Sequence, residues 1–145
     1  MTNSEFSDGS RVRGRADGTA GVGDETQSGL RPLLAISNEM VRIYKEQFGR
    51  GPTKARTDYA GPNTLVCLLE NTFTPAERNL QAMGEHQRLR DIRLLFQYAD
   101  SSRFTQPVER ITGRRVTAFV SGIDTNSDVA CELFILEPEP TPGES

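Results

Sequence analysis

The sequence has few of the side chains that metal binding and nucleophilic catalysis require. Its 145 residues include one histidine and two cysteines. His86 has no second histidine and no nearby cysteine, so it cannot anchor a usual zinc site. Cys67 and Cys131 could form one disulfide, but both lie in apolar runs, which favours buried reduced thiols. We therefore expect no metal and no cofactor.

Long hydrophobic stretches and strong charge are also lacking. No stretch approaches the ~20 apolar residues that cross a bilayer, and the first ten residues lack the apolar core of a secretory signal. These absences predict no direct membrane insertion and favour a cytoplasmic location. The net charge is −3, yet residues 29–136 carry 14 bases and 12 acids, a balance of +2. So small a balance gives no reason to expect nucleic acid as a partner.

Composition divides the chain into one domain and two tails. The hydrophobic fraction of 35% and the mean hydropathy of −0.52 are low for a chain folded throughout. Residues 1–28 have almost no large apolar side chains, so burial cannot offset the entropy lost on ordering them. Residues 138–145 are acidic and rich in proline. We predict disordered tails at 1–28 and 138–145 and one domain at 29–137.

The first half of the domain has the pattern of a helix followed by two strands. Apolar residues recur every three to five positions between Leu33 and Phe48, which predicts an amphipathic helix ending at Gly49. Residues 54–59 alternate like a half-exposed strand. Residues 65–69 are continuously apolar, which is typical of a central strand covered on both faces. A thin sheet with a second face to cover predicts a homo-oligomer, most simply a dimer.

The second half begins with the clearest local signal. In the segment 74–77, Thr-Pro-Ala-Glu, the threonine can cap the glutamate amide, the glutamate can reach back, and proline suits the first helical position. A helix should run from here to about Phe96, with a bend at Gly84. A shorter helix ends at Gly113, and residues 116–123 and 129–136 form a hairpin. The order α-β-β-α-α-β-β predicts an α+β fold, a sheet of about four antiparallel or mixed strands with helices on one face.

No segment carries a catalytic signature. Residues 49–54 resemble a phosphate loop, but they follow a helix rather than a strand and lack the Gly-Lys-Ser/Thr ending. Residues 124–128 open like a calcium loop, but the sixth position is Val129 rather than glycine. We interpret both as turns. The sequence therefore names no catalytic residue and predicts a protein that is not an enzyme.

One basic constellation remains, on the long second helix. At 100° per residue, His86, Arg90 and Arg93 fall within about 60° of one another, together with Gln97. Leu89, Ile92 and Phe96 occupy a separate arc that should face the core. The basic side is either a solvated surface balanced by acids such as Glu77, Glu85 and Asp91, or a contact for an anion or an acidic partner. The candidate binding residues are Arg90, Arg93, His86, Arg50 and Lys54.

Several segments together resemble a known family. They are Phe-Gly-Arg-Gly-Pro at 48–52, the apolar strand leading to Thr-Pro-Ala-Glu-Arg-Asn-Leu at 74–80, Arg-Leu-Leu-Phe at 93–96, and the final hairpin. Over about residues 30–137 the chain is similar to the MpsC-like family, named for a component of a sodium-translocating, membrane-potential-generating system. The helix end in that family often reads Gly-Lys-Gly-Pro, and Arg50 keeps the charge.

The resemblance supplies no catalytic residue. It implies an accessory subunit or regulator beside a membrane complex that moves ions or inorganic carbon, and thus a protein partner. The rival hypothesis is a small-anion-binding or enzymatic domain, with the basic helix face and the 49–54 turn forming its pocket.

Overall fold

The computed structural model describes the backbone of residues 20–140 and the side chains of residues 29–140. Predictions for residues 1–19 and 141–145 lie outside the described part of the chain. The first helix, α1, spans Ala20–Phe48, so its backbone includes residues that the composition assigns to a disordered tail. Helical hydrogen bonds are local. A helix can therefore extend beyond its apolar stripe, and hydrophobic periodicity reveals only the packed portion.

The packed portion of α1 follows the predicted pattern. Leu33, Ile36, Met40 and Ile43 are buried along one side, as expected for an amphipathic helix on a sheet. The helix ends where Gly49 adopts a φ of 84°, a left-handed conformation that residues with a Cβ disfavour. The predicted stop at this glycine is confirmed.

Four antiparallel strands form one sheet. They are β1 (Lys54–Tyr59), β2 (Thr64–Glu70), β3 (Val116–Asp124) and β4 (Val129–Leu136). The strand order is β1-β2-β4-β3, so the strands of the two predicted hairpins meet in the centre. Leu65 pairs with Phe134 and Leu69 with Ala130 across this central junction. The predicted α+β architecture is confirmed.

Three helices lie between the hairpins, where the sequence predicts two. They are α2 (Pro75–Ala82), α3 (His86–Ala99) and α4 (Ser102–Thr112). The predicted bend at Gly84 is a helix end, because this glycine has a φ of 77° and its amide bonds the Gln81 carbonyl. At the start of α2, the predicted capping box is present between Thr74 and Glu77.

The two faces of the sheet differ in their cover. Leu65, Cys67 and Leu69 of β2 are fully buried with alternate residues of β4, and the strand side chains that helices contact, such as Thr57 and Phe119, belong to this core face. The intervening residues point to the other side and stay partly accessible. We call them the open sheet face: Val66, Leu68, Ala118, Val120, Cys131, Leu133 and Ile135. The continuous apolar run in β2 is thus covered on one face only by the described part of this chain.

Candidate functional site

Helix α3 is oriented differently from the sequence prediction. Arg93 is 1% exposed and Gln97 is 2% exposed, although the sequence places both on a solvent-facing side. Ile92 and Phe96, predicted to face the core, are 37% and 48% exposed. Of that predicted core arc, Leu89 is buried as expected. The prediction of a shared exposed surface is therefore wrong at Arg93.

Arg93 is buried with internal partners for its Nε and Nη2 atoms, whereas its buried Nη1 has none. Its Nε and Nη2 donate to the two carboxylate oxygens of Glu77, at 2.5 and 2.8 Å, and Nη2 also donates to the Thr72 carbonyl. The guanidinium lies 3.9 Å from the ring centroid of Phe48, a favourable position for a cation. Burial raises the pKa of Glu77, but hydrogen bonds from Arg93 and from the Thr74 amide outweigh it and leave that pKa lowered. The ion pair joins α2 to α3.

A second buried acid lies beneath the other end of α3. Glu132 is in the centre of β4, fully buried on the core face. The Tyr44 hydroxyl of α1 donates to its Oε2 at 2.5 Å, and Gln97 Nε2 donates to the same oxygen at 2.6 Å. Burial raises the pKa of Glu132 to about 7, while the hydrogen bonds from Tyr44 and Gln97 act to lower it. One carboxylate thus connects α1, α3 and the sheet.

We call Tyr44, Arg93, Gln97, Ser121 and Glu132 the buried polar cluster. Sequence analysis missed it, apart from the two α3 residues that it placed at the surface. A signal was present, because Glu132 shares its strand face with Ala130, Phe134 and Leu136. A charged residue in the apolar register of a central strand needs a buried partner. The sequence does not show which helix supplies that partner.

The cluster offers protons and hydrogen bonds but no access for a substrate. The space beside it, between α3 and the strands β3 and β4, holds no water-sized cavity. Cys67 is also buried against the cluster, and burial raises the pKa of its thiol to about 12, so the thiol is not a nucleophile at neutral pH. Both cysteines are free. Within residues 29–140, no three side chains of the His, Cys, Asp or Glu type gather to hold a metal ion.

The other predicted binding residues do not form one site, because only His86 and Arg90 lie together. His86 and Arg90 both bond the hydroxyl of Thr125, at 2.7 and 3.4 Å, and so fasten α3 to the turn between β3 and β4. Arg50 donates to the Phe73 carbonyl at 2.6 Å. Arg90 and Arg93, one turn apart, do not converge on a common group, because Arg93 is directed at Glu77.

Lys54 lies in a different place, on an open polar cavity of about 340 Å³. Arg78 and Glu70 line the same cavity, together with Asp128. The Asp128 carboxylate already accepts from the amides of Thr72 and Phe73 and pairs with Arg78 at 3.2 Å. Sequence analysis treats Asp128 as a plain turn residue, because these partners are 50 to 56 positions away. The cavity balances two bases with two acids and has no net preference for an anion.

The outward side of α3 carries an apolar stripe. Ile92, Leu95 and Phe96 are 37%, 67% and 48% exposed, and the three positions fall on one side of a helix. Phe96 also packs edge-on against Phe48 at the end of α1, which holds its ring in place. We call Ile92, Leu95 and Phe96 the α3 stripe. Contiguous apolar groups at a surface are a common mark of an interaction site.

Comparison with known proteins gives one match. The model of a family described as Na+-translocating membrane potential-generating system (MpsC) matches residues 34–138, which is most of the chain and covers everything from the packed part of α1 to the end of β4. No curated protein and no solved structure matches. In the part of the chain that the structure describes, no helix is long and apolar enough to span a membrane.

Proposed function

We propose a role that proceeds from the family: the chain belongs to the MpsC family, and we infer that it is a non-enzymatic accessory protein of a Na+-translocating membrane potential-generating system. It acts in the cytoplasm and binds a protein subunit of that system. The family description names the system, and the particular role is our proposal.

The observation that carries the proposal is the orientation of α3. Burying an apolar side chain of this size contributes about 1.5–3 kcal/mol, and the α3 stripe leaves three such side chains in contact with water while Arg93 and Gln97 occupy the interior. A partner that covers the stripe recovers the part of this contribution that corresponds to the exposed fractions, 37%, 67% and 48%. The stripe is therefore the surface on which we place the partner.

The open sheet face supports a second contact, between two copies of the chain. Across the sheet, Val66 pairs with Leu133 and Leu133 pairs with Val120, so one row of apolar side chains crosses three strands. Two such faces can pack as the layers of a sandwich. We propose a homodimer through this face. Because α3 packs on the opposite face of the sheet, the dimer leaves both copies of the α3 stripe available.

The alternative, a small-anion-binding or enzymatic domain that uses an arginine-rich helix face, receives less support. Its central residue, Arg93, is enclosed and paired with Glu77. Arg50 and Lys54 have separate surroundings. A pocket that combines these residues would require α3 to rotate.

The test is capture of membrane-system subunits by the tagged full chain from detergent-solubilised membranes of its native cell. Leu95→Glu places a charge in the α3 stripe and should reduce capture at least about tenfold, as for a central contact residue. Met83→Glu is the matched control, because Met83 is an apolar side chain of similar exposure, at 71%, outside the stripe. Circular dichroism and Tm should be unchanged in both variants. Normal capture by Leu95→Glu would contradict the proposed surface.

A further inference from the structure

We propose that the buried polar cluster is a proton-binding site, with the proton on Glu132, and that loss of this proton weakens the packing of α3 against the sheet. The link to partner binding rests on the proposed function, because α3 carries the stripe. The proton site itself does not rest on it.

The Glu132 carboxyl group accepts hydrogen bonds on one of its two oxygens only. Both donors, Tyr44 and Gln97, are directed at Oε2 of Glu132. Its other oxygen, Oε1, has no hydrogen-bond partner, and neither do Gln97 Oε1, the Ser121 hydroxyl oxygen and Arg93 Nη1, although all four atoms are buried. Unpartnered buried acceptors are costly. A proton on Glu132 Oε1 converts one of these acceptors into a donor for another.

Ser121 is a candidate to receive that proton's hydrogen bond. It is the register partner of Glu132 across β3 and β4. Its hydroxyl acts to lower the pKa of Glu132 by donating to the ionised carboxylate. When Glu132 carries the proton, the same hydroxyl oxygen can accept from it instead.

The cation that faces Glu132 favours its ionised form but is shared with a second acid. Tyr44 of α1, Cys67 of β2 and Gln97 of α3 are neutral groups. Arg93 is the one cation among the groups facing Glu132, and it is already paired with Glu77. With Glu132 ionised, the charges of Glu132, Arg93 and Glu77 sum to −1 in a buried place. Binding one proton removes that excess, and burial raises the pKa of Glu132 to about 7 in agreement.

A monovalent cation is the competing occupant, because carboxylate, amide and hydroxyl oxygens are also its usual ligands. Two observations favour the proton. The space beside the three oxygens holds no water-sized cavity, and the guanidinium of Arg93, which faces the same space, repels a cation. A proton needs no extra volume. It forms a bond to an atom already in place.

The connection to α3 is direct, because the helix has three buried side chains, Leu89, Arg93 and Gln97, and two of them belong to the cluster. When Glu132 loses its proton, an uncompensated charge lies under Gln97. An opening of α3 lets water reach that charge and returns the carboxyl to its usual pKa of 4.5. The closed state therefore binds the proton more tightly than the open state. Its stability falls as the pH rises from about 4.5 to about 7 and is then constant.

The test follows the side-chain carboxyl signals of 13C-labelled full-length protein by NMR across this pH range. One glutamate should titrate near neutral pH, and its signal should be absent in Glu132→Gln. Glu70→Gln, at an exposed position of β2, is the control and should retain it. A Glu132 signal that titrates like an ordinary carboxyl group would overturn the proton site.

Hydrogen exchange measures the effect on α3. Protection factors of α3 amides, corrected for the intrinsic pH dependence, should fall about tenfold from about pH 6 to about pH 8 in the wild type. They should stay constant in Glu132→Gln. Equal behaviour of the two proteins would overturn the link to α3. If sodium chloride, but not choline chloride, restores α3 protection at the higher pH, the oxygens form a cation site and the proton proposal is wrong. None of these outcomes depends on partner capture.

Discussion

The ion pair between Arg93 and Glu77 gives the sharpest stability prediction. Replacing Arg93 with methionine keeps the apolar stem and removes the guanidinium, which leaves the Glu77 carboxylate without its main partner. Breaking one half of a buried ion pair costs about 3–5 kcal/mol. Glu77 is less deeply buried than Arg93, with 12% of its side chain exposed, so we expect the lower part of that range, about 3 kcal/mol. For a domain of this size the loss corresponds to a decrease in Tm of about 10–20 °C.

The direction of the pH dependence adds an independent check. Because the pKa of Glu77 is lowered in the folded protein, its contribution to stability is present above its unfolded pKa of about 4.5 and is lost as the pH falls through the lower folded value. Without Arg93 the burial effect remains, and only the hydrogen bonds with Thr74 still act to lower the pKa. The difference between wild type and Arg93→Met should therefore be largest near neutral pH and shrink on acidification below about pH 4.5.

Urea denaturation followed by circular dichroism measures these differences, with Arg90→Met as the control. Arg90 is one turn away, is partly exposed, and bonds only Thr125 and Gln87, so its replacement should cost less than about 1 kcal/mol. Equal costs for the two variants would refute the reasoning. So would an Arg93→Met protein that keeps wild-type stability at neutral pH and fails to capture membrane subunits, because Arg93 would then be a contact residue.

Three further predictions concern the cap, the open sheet face and the cysteines. Thr74→Ala removes the Thr74–Glu77 capping contact and should lower the free energy of unfolding by about 1 kcal/mol. Urea titration measures this value, and an unchanged free energy would contradict the capping role. Val120→Lys, at an open-sheet-face position 52% exposed, should convert the proposed dimer to a monomer in light scattering. A wild-type protein that is monomeric at high concentration would contradict the proposed dimer. In the native protein Cys67 should resist maleimide because burial raises its pKa to about 12, while Cys131 should react faster once Val120→Lys has opened the sheet face, and equal rates would contradict that assignment.

Local signals in the sequence were sufficient for most of the fold. The capping box at Thr74, the stop at Gly49 and the alternation in β1 each arise from neighbouring residues, and the structure contains all three. At Gly84 the sequence predicts only a bend, because the apolar periodicity continues across it. The left-handed φ that ends α2 there does not follow from the sequence pattern. The strand order also depends on more than local information, since β2 pairs with β4 through residues 59 to 71 positions apart.

The site was predictable only in part, and the reason is the orientation of α3. Leu89 lies at the edge of the apolar arc, with Phe96 on one side of it and Arg93 on the other. A small rotation of the helix therefore buries Leu89 with either neighbour, and periodicity alone does not decide which. The decision comes from Glu77 and Glu132, which are 16 and 35 positions away from their α3 partners. An acid inside an apolar strand was the available hint. The residues that face Glu132, namely Arg93 and Gln97, have the sequence pattern of a solvated helix face.

The resulting arrangement of α3 is difficult to explain by stability alone. A buried ion pair contributes little more than well-packed apolar residues of the same volume, and often less. Full burial of each stripe side chain would contribute about 1.5–3 kcal/mol, and the domain forgoes the part of it that corresponds to exposed fractions of 37%, 67% and 48%. A helix selected only to stabilise this domain would turn the stripe inward and leave Arg93 in water. The opposite orientation is expected if the outer side of α3 is completed by another protein and its inner side by the polar groups that fix its position, and the variants Leu95→Glu and Glu132→Gln separate these two roles.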